Sequence, residues 1–311
     1  MACYHPLQAY RSLVRSNNGK STITFKKSEG HPFLPVKIAC GQCIGCRIDR
    51  SKQWAVRCMH EASLYENNSF ITLTYSNKHL PWDQSLKKKH FQNFMKALRR
   101  EYPRDKSDNI RYYHCGEYGE RTKRPHYHAI LFNLDFDDKY LWRENPRTGE
   151  RYYRSETLEK VWGKGYCVIG EVTFQSAAYV ARYILKKVTG NPAKDHYNKI
   201  IDYNTGECVD LQPEYTTMSR RPGIGKKWYE QYKNQLHPDD FVVWNGKKHK
   251  IPKYYDRLYE IEHAEEFERI KERRFKNAQK PNIKANNTPD RLAVRETIQQ
   301  KKIDRLIRPE L

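Results

Sequence analysis

Two histidines stand one residue apart in the segment RPHYHAILF, which runs from Arg124 to Phe132. The apolar and aromatic residues of this segment predict a β-strand. Residues i and i+2 of a strand face the same side, so the side chains of His126 and His128 point together. Both ring nitrogens can then bind one ion, although the same spacing also occurs in strands that bind nothing. The metal interpretation therefore depends on further donors.

A carboxylate can complete the histidine pair. The segment IRYYHC (Ile110–Cys115) predicts a strand that forms a hairpin with the histidine strand, and Glu117 follows it. Pairing brings Glu117 beside the imidazoles, while Glu120 in the loop is a second candidate. Thr72 or Thr74 of a neighbouring strand can also face the site. Two imidazoles and one carboxylate suit Mg²⁺ or Mn²⁺, which polarises a phosphodiester oxygen as a Lewis acid.

Other histidine-pair enzymes match the sequence less well. A histidine-triad hydrolase needs a third His at the position that Ile130 occupies. The H-E-x-x-H helix of zinc proteases is missing from the sequence. The H-x-E and later P-C-x-x-C of cytidine deaminases are also missing.

The second chemically reactive pattern lies on a predicted helix, FQSAAYVARYILKKV, which Gly190 ends. Its apolar stripe consists of Phe174, Ala177, Ala178, Ala181, Ile184, Leu185 and Val188. At about 100° per residue, Tyr179 and Tyr183 fall on the opposite face, one turn apart. They are therefore not expected in the core. They are either surface or interface tyrosines, or a reactive pair.

A tyrosine oxygen can attack a DNA phosphodiester and hold the 5′-phosphate covalently while the 3′-OH leaves. Free tyrosine has a pKa of about 10, so the reaction needs a divalent ion on the phosphate and a nearby cation. The candidate cations are Arg182, Lys186 and Lys187. Two tyrosines at i and i+4 allow two successive attacks. One opens a circle, and the other accepts the strand after a round of copying.

The predicted elements place these groups in an α+β fold. In chain order they are a strand at Ser69–Ser76, a helix ended by Pro103, the histidine hairpin, a short helix capped by Ser155, and a strand at Tyr166–Thr173. The tyrosine helix follows. The order β-α-β-β-α-β is that of a ferredoxin-like antiparallel sheet with helices on one face. A long polar insert occupies about residues 135–155 and precedes the short helix.

Composition divides the chain into four predicted segments. Residues 1–65 are rich in cysteine and irregular at first, then helical. Residues 66–190 form the enzymatic core, and residues 191–280 form a basic loop and a helical region that contacts DNA. Residues 281–311 are polar and are expected to be disordered.

Three cysteines, Cys40, Cys43 and Cys46, lie at metal-ligand spacing in CGQCIGC. Thiols at this spacing bind Zn²⁺ when a fourth ligand arrives. The candidates for the fourth position are Cys3, Cys58, His60 and His5, and the predicted zinc set includes Cys3. An iron–sulfur cluster is disfavoured because Arg50 stands where its fourth Cys is expected. Reduced thiols that pack without metal are the alternative.

The chain carries 58 Lys and Arg against 37 Asp and Glu, a net charge of +21, which favours a polyanionic partner. Aromatic residues make up 13%, with 23 tyrosines, as suits single-stranded nucleic acid. The loop MSRRPGIGKK predicts DNA contact through Arg220, Arg221, Lys226 and Lys227. No apolar run is long enough for a membrane span or a signal peptide.

Three segments resemble, in this order, the three motifs of HUH rolling-circle replication initiators: FITLTY, RPHYHAILF and AAYVARYILKK. The Y-x-x-x-Y form resembles the two-tyrosine class. Three further segments resemble the replication initiation proteins of gokushovirus-type microviruses: MACYHPL, CGQCIGCRIDRSKQWAVRCMHE and MSRRPGIGKKW. The resemblance covers about residues 1–235.

The resemblance implies origin nicking, a 5′-phosphotyrosine intermediate and later religation into circles. By motif match it implies that His126 and His128 bind the metal, with Glu117 as a third ligand, and that Tyr179 and Tyr183 are the nucleophiles. The two-tyrosine class often carries Lys just before the second tyrosine, where this chain has Arg182. A guanidinium can clamp phosphate but is a poor proton shuttle.

The expected partners are single-stranded or supercoiled phage origin DNA, a host helicase and a host DNA polymerase, in the cytoplasm of a host bacterium. The helicase is expected because the sequence has no G-x-x-x-x-G-K-[ST] loop. The alternative function is a non-catalytic, zinc-stabilised protein that binds single-stranded DNA. Tyr179 and Tyr183 distinguish the two, because binding alone requires neither residue.

Overall fold

The computed structural model of the protein describes residues 3–15, 21–105, 108–182, 192–202 and 207–305. Within these residues the strands are β1 (Leu7–Arg15), β2 (Ser21–Thr24), β3 (Gly30–Ile38), β4 (Asn68–Thr74), β5 (Arg111–Tyr118), β6 (Pro125–Phe132), β7 (Tyr140–Glu144), β8 (Arg151–Arg154), β9 (Cys167–Gly170), β10 (Asn198–Asp202), β11 (Glu207–Asp210), β12 (Tyr215–Met218), β13 (Val242–Trp244) and β14 (Lys247–His249). The helices are α1 (Ile44–Ala62), α2 (Lys88–Glu101), α3 (Glu156–Trp162), α4 (Phe174–Arg182), α5 (Pro192–Tyr197), α6 (Lys226–Asp239), α7 (Lys253–Glu262), α8 (Ala264–Ala278), α9 (Pro281–Ala285) and α10 (Pro289–Asp304).

The chain divides into two compact units. One contains residues 1–50 and 263–311, and the other contains residues 51–262. In the first unit, His5 and Glu296 form an ion pair at 2.7 Å. A contact between the two ends of the chain is invisible to composition, so the division differs from the boundaries predicted at 65, 190 and 280.

The larger unit is built on a seven-stranded antiparallel sheet in the order β12-β5-β6-β4-β9-β8-β7. Its central strands follow the order β5-β6-β4-β9, with α2 between β4 and β5 in sequence and α3 between β6 and β9. This is the split βαβ arrangement that the sequence predicted. The α+β class with a central antiparallel sheet is confirmed.

Helices cover both faces of this sheet. On one face, Ile71 and Tyr127 belong to a core that includes Phe91 of α2 and Trp162 of α3. The predicted helices on one face correspond to these two. On the other face, the residues of a second core come from β4, β5, β6, α1 and α4: Phe70, Tyr113, Ile130, Ala55, Met59, Ala177 and Val180. A strand buried on both faces lacks polar alternation, as FITL of β4 does.

Three regions contain strands that the sequence analysis missed. The N-terminal segment, predicted to be irregular, forms the sheet β2-β1-β3. Its pattern hid the strands because Leu13 and Val14 are both exposed, which breaks the polar–apolar alternation. The polar insert forms the hairpin β7–β8, which reaches β9 through the pair Tyr153–Ile169. The predicted basic loop begins with β12, which pairs with β5.

The C-terminal part of the chain is helical as far as residue 305. The charged helix predicted for residues 256–278 is divided at His263 into α7 and α8. The tail that was expected to be disordered contains α9 and α10, each with a proline in its first turn. Leu292 of α10 is buried, so this helix has an apolar anchor. Every helix in the described part of the chain is too short or too polar to cross a membrane.

Candidate functional site

Hairpin register brings the predicted metal ligands together. Glu117 of β5 pairs directly with His126 of β6, and His128 follows two residues later on the same face. One ligand atom from each side chain lies within 4.8 Å of the other two. The structure therefore brings together Glu117 and the two histidines, whereas Glu120 lies in the exposed turn between the strands.

The orientation of both imidazoles is fixed by groups behind them. The Nδ1–H of His126 donates to the Arg124 carbonyl at 3.2 Å, and the Nδ1 of His128 lies 2.9 Å from the Thr72 hydroxyl. A carbonyl oxygen only accepts, so in a neutral His126 ring the Nε2 atom carries a lone pair. That lone pair points at the Glu117 carboxylate, and the two groups need a proton or a metal cation between them. Such outer contacts are typical of metal-ligating histidines.

The ligand atoms converge on one carboxylate oxygen. Oε1 of Glu117 lies 2.6 Å from Nε2 of His126 and 3.1 Å from Nε2 of His128. Burial alone raises the pKa of the Glu117 carboxyl, but the hydrogen bonds with His126 and His128 outweigh burial and lower the pKa to about 2. Glu117 is therefore an anion at neutral pH, and the three side chains can hold a divalent metal ion.

Access to this cluster is from the His126 side. The side chain of His126 is 17% exposed, whereas those of Glu117 and His128 are 3% and 1% exposed. An ion held here keeps open coordination positions toward solvent, where a phosphate oxygen can bind.

Tyr179 lies beside the histidine cluster. Its ring centroid is 5.3 Å from that of His128 and 6.4 Å from that of Phe70, edge to face in both cases. The predicted helix begins at Phe174, where the Thr173 hydroxyl caps it by accepting from the Ser176 amide. The helical wheel is right that Tyr179 lies off the fully buried stripe. It is wrong to direct the ring away from the sheet, because Tyr179 is half-buried against it.

The other predicted catalytic residues have different outcomes. Arg182 is half-buried in the last described turn of α4, three residues after Tyr179. Tyr183, Lys186 and Lys187 lie outside the described residues. Their predicted roles stay predictions.

Two residues that orient the site escaped the sequence analysis. Phe70 stacks on the His128 ring with centroids 5.7 Å apart. Arg124, whose carbonyl holds His126, donates to the Asn77 side chain at 2.8 Å and to the Tyr75 carbonyl at 2.9 Å. The position of Arg124 next to the histidine pair was a usable signal. The contact of Phe70 depends on strand pairing across the sheet and has no local signal.

The four predicted zinc ligands form a second cluster in the smaller unit. The Sγ atoms of Cys3, Cys40, Cys43 and Cys46 lie within 4.8 Å of one another. Two of the measured separations are 3.6 Å for Cys3–Cys40 and 3.9 Å for Cys3–Cys43. Four thiolates at tetrahedral angles around a zinc ion, with bonds of about 2.3 Å, would be about 3.8 Å apart. The spacing suits a bound zinc ion, and all four cysteines are free of disulfides.

The chemistry of Cys43 also favours a metal. Burial raises the pKa of the Cys43 thiol, but hydrogen bonds from the Tyr4 and Cys46 amides and contacts with neighbouring thiols lower it to about 6. The thiolate, which is the metal-binding form, is then present at neutral pH. A four-cysteine cluster of this kind can hold a structural zinc ion.

The remaining candidates for the fourth zinc ligand have other roles. Cys58 is fully buried in the core beneath α1 and α4. His60 stacks on Trp228 at 3.4 Å and bonds the Tyr255 hydroxyl at 3.1 Å. His5 pairs with Glu296.

The loop predicted to contact DNA is held by three charged residues beneath it. Both Nε and Nη2 of Arg57 donate to the Ile224 carbonyl, and the Glu61 carboxylate accepts from the Gly225 amide at 2.6 Å. Arg111 pairs with Glu61 and donates to the backbone of the same loop. Buried charges of this kind are costly unless all are paired, and these three brace the loop backbone.

The loop presents its cations away from the histidine cluster. Arg220 and Arg221 are exposed, while Lys226 and Lys227 are half-buried at the start of α6. The loop follows β12, which pairs with β5, and it lies at the end of β5 where that strand begins. Glu117 lies at the other end, six residues further on, or about 20 Å at 3.4 Å per residue. The structure does not bring these cations to the candidate metal site.

Comparison with known proteins identifies relatives along most of the chain. The model of a family described as replication-associated protein ORF2 matches residues 68–188. The chain is 33% identical to replication-associated protein ORF2 of Spiroplasma virus 4, over 90% of this chain and 88% of that protein. It is 37% identical to replication-associated protein VP4 of Bdellovibrio phage phiMH2K, over 86% and 80%. It is 31% identical to replication-associated protein ORF4 of Chlamydia phage 1, over 71% and 53%. No solved structure matches the chain.

Proposed function

This chain belongs to the replication-associated proteins of gokushovirus-type microviruses, and from this we propose that it starts rolling-circle replication by nicking one strand of the phage origin. The observation that carries the proposal is the placement of the Tyr179 ring 5.3 Å from the His128 ring. A candidate nucleophile and a candidate metal site then share one face of a rigid sheet. Simple DNA binding requires no such juxtaposition.

The proposed reaction exchanges one phosphate ester for another. The phenolic oxygen of Tyr179 attacks the phosphorus, and the bond from phosphorus to the 3′ oxygen breaks. The phenol gives up its proton and the departing 3′ oxygen takes one, which leaves a 5′-phosphotyrosine and a free 3′-OH. The bond energy of the phosphodiester is conserved in the new ester. Attack by a 3′-OH in the reverse sense then religates the strand into a circle.

Glu117, His126 and His128 would hold Mg²⁺ or Mn²⁺ at this site. When bound, the ion supplies positive charge to a phosphate oxygen and so favours the crowded, anionic transition state. The protein's own part is to orient the histidines through Thr72 and Arg124 and to hold Tyr179 against the sheet. Tyr183 is proposed as the second nucleophile. Arg182, Lys186 and Lys187 are proposed to neutralise charge on the phosphate or the tyrosine oxygen.

The test is covalent capture of origin DNA. The full chain is incubated with a labelled origin oligonucleotide and Mn²⁺, and the products are separated on a denaturing gel. We expect a protein–DNA adduct that disappears when Tyr179 and Tyr183 are both changed to Phe. The single variants Tyr179→Phe and Tyr183→Phe then report which tyrosine attacks first. Mass spectrometry should locate the nucleotide on the tyrosine peptide.

A variant that lacks the histidines separates catalysis from binding. His126→Ala combined with His128→Ala should abolish the adduct but retain salt-sensitive DNA binding, since the exposed cations remain. The proposal fails if an adduct persists in the double-tyrosine variant. It also fails if the wild-type chain binds origin DNA under these conditions without cleaving it, which supports the non-catalytic alternative.

We also propose that Cys3, Cys40, Cys43 and Cys46 bind a structural zinc ion. Four cysteine ligands leave no position for substrate, so such an ion stabilises the fold without joining the reaction. For replication, we propose that the 3′-OH primes a host DNA polymerase and that a host helicase unwinds the duplex in the cytoplasm of the bacterium. A pull-down from host extract with the covalent adduct as bait tests these two partners. Recovery of neither enzyme argues against them.

A further inference from the structure

Half of the sheet face that carries the histidines is free of helices in the described residues. The helices on this face, α1 and α4, pack over β4, β5 and β6. Next to β4 on the other side, Tyr166 precedes β9, and its carbonyl accepts from both the amide and the hydroxyl of Thr74. Thr74 is the residue that pairs with His126. Because Cys167 is buried on the opposite face, Tyr166 faces the histidine side, where it is 60% exposed.

The hairpin β7–β8 continues this exposed face. Tyr153 pairs with Ile169 and packs into the core on the opposite face, so its neighbours Tyr152 and Arg154 face the histidine side. Arg154 is opposite Tyr140, and Tyr152 is opposite Arg143. Two tyrosine–arginine pairs therefore cover the outer strands.

The exposed side chains form one connected surface. The guanidinium of Arg154 lies 5.9 Å from the Tyr166 ring centroid, which links the hairpin to the residue beside Thr74. We name this surface the aromatic–arginine track, and it consists of Tyr166, Arg154, Tyr140, Arg143 and Tyr152. It lies two to four strands from His126, or about 10 to 20 Å at the usual spacing of about 4.8 Å between strands.

We propose that the aromatic–arginine track binds the single-stranded DNA next to the scissile phosphate. The proposal rests on the proposed nicking function and adds a substrate subsite to it. Exposed rings stack on unpaired bases, and guanidinium groups contact both phosphates and bases. The insert from Lys139 to Arg154 carries five cationic and two acidic side chains, so its charge is complementary to DNA. Base stacking on the track would hold the phosphate at the histidine cluster in a chosen register.

The features of the hairpin argue against a protein partner. Strand β7 is the edge of the sheet, and an edge strand can pair with a second copy of the chain. Here the register slips between Leu141 and Arg143, and the outer end carries the charged pair Glu144–Arg151. A bulge and charged side chains are the devices that disfavour pairing between edges.

The first test is equilibrium binding of a fluorescein-labelled oligo-dT to the full chain in EDTA, measured by anisotropy. Tyr166→Ala and Tyr140→Ala should each weaken binding about tenfold, because one stacked base is lost. Tyr166→Phe and Tyr140→Phe keep the ring and should bind like the wild-type chain. Leu141→Ala on the opposite face is the matched control for hairpin folding. Equal losses in Tyr140→Ala and Leu141→Ala would overturn the proposal.

The second test locates the DNA directly. Photo-crosslinking with an oligonucleotide that contains iododeoxyuridine, followed by mass spectrometry, should modify peptides with Tyr140, Tyr152 or Tyr166. Crosslinks confined to other surfaces overturn the proposal, as does a Tyr140→Ala variant that changes oligomeric state but not DNA affinity. Both assays omit metal and need no cleavage, so they remain valid if the nicking function fails. Normal cleavage combined with unchanged affinity in the variants would refute the track alone.

Discussion

The two ligand clusters of this protein differ in what holds their side chains in place. Glu117, His126 and His128 stand on paired strands whose hydrogen bonds continue through the whole sheet. The cysteine cluster instead joins Cys3, which precedes β1, to residues around the start of α1, and only Cys46 lies within a regular element. Sheet geometry positions the first cluster, whereas the second has little regular backbone around it.

This difference separates a reactive site from a structural one. Three ligands on a rigid sheet leave open positions on an ion, so the ion can meet substrate and its removal leaves the fold intact. Four thiolates close the coordination sphere, and the energy of binding becomes folding energy for the segment they join. Metal removal should therefore affect activity in one unit and stability in the other.

The largest expected effect is on cleavage after brief EDTA treatment. Removal of the ion from the Glu117 cluster should slow adduct formation about a thousandfold, since a Lewis acid contributes several kcal/mol to such a transition state. The melting temperature should fall by about 5 °C or less, because a weakly bound ion adds little to stability. Added Mn²⁺ should restore the rate. Cleavage that survives EDTA would remove the basis for an open, reactive site.

The second prediction concerns the cysteine cluster. Cys3→Ala should reduce bound zinc from one ion per chain to almost none, because three thiolates do not close a tetrahedral site. Elemental analysis measures the zinc, and hydrogen exchange measures the consequence. Amides of β1 and β3 should lose protection, while those of β4 and β6 keep theirs. Loss of protection in both sheets would mean that the cluster is not a local structural device.

Much of the catalytic core could be predicted from the sequence because its signals are local. The period-2 and period-3.6 patterns give the β-α-β-β-α-β order, and hairpin logic puts Glu117 beside His126. The same-face rule also separates the histidines from Tyr127, which is buried on the opposite face. These inferences need only neighbouring strands and the order of elements.

What escaped prediction depends on contacts between distant segments. Tyr179 was assigned to a polar face because the wheel of α4 shows only one helix, not the sheet strands on which its ring rests. Strand β12 lies in a sequence that is Thr- and Arg-rich, and only its pairing with β5 makes it a strand. Glu61 and Arg111 look like ordinary surface charges until the loop around Gly225 folds onto them.

The third prediction tests the support behind the histidines. Thr72→Val is nearly isosteric but removes the hydroxyl that lies 2.9 Å from the Nδ1 of His128. Metal affinity should weaken by about 10- to 100-fold, the usual cost of losing such an outer contact. The Mn²⁺ concentration for half-maximal cleavage measures this, and Thr72→Ser should restore it. The cysteine cluster offers no equivalent, since the donors to Cys43 are backbone amides.

The smallest expected effect is that of Cys58→Ala, the matched control for Cys3→Ala. Cys58 is fully buried among apolar side chains, and burial raises the pKa of its thiol, so it stays protonated and does not act as a metal ligand. Its loss should leave the zinc content unchanged and cost about 1 kcal/mol, or about 2–4 °C in melting temperature. Zinc content after each substitution, measured on equal amounts of folded chain, decides the assignment. If Cys58→Ala lost zinc while Cys3→Ala retained it, the fourth ligand would be Cys58, and the division between a closed structural cluster and an open reactive one would need a different boundary.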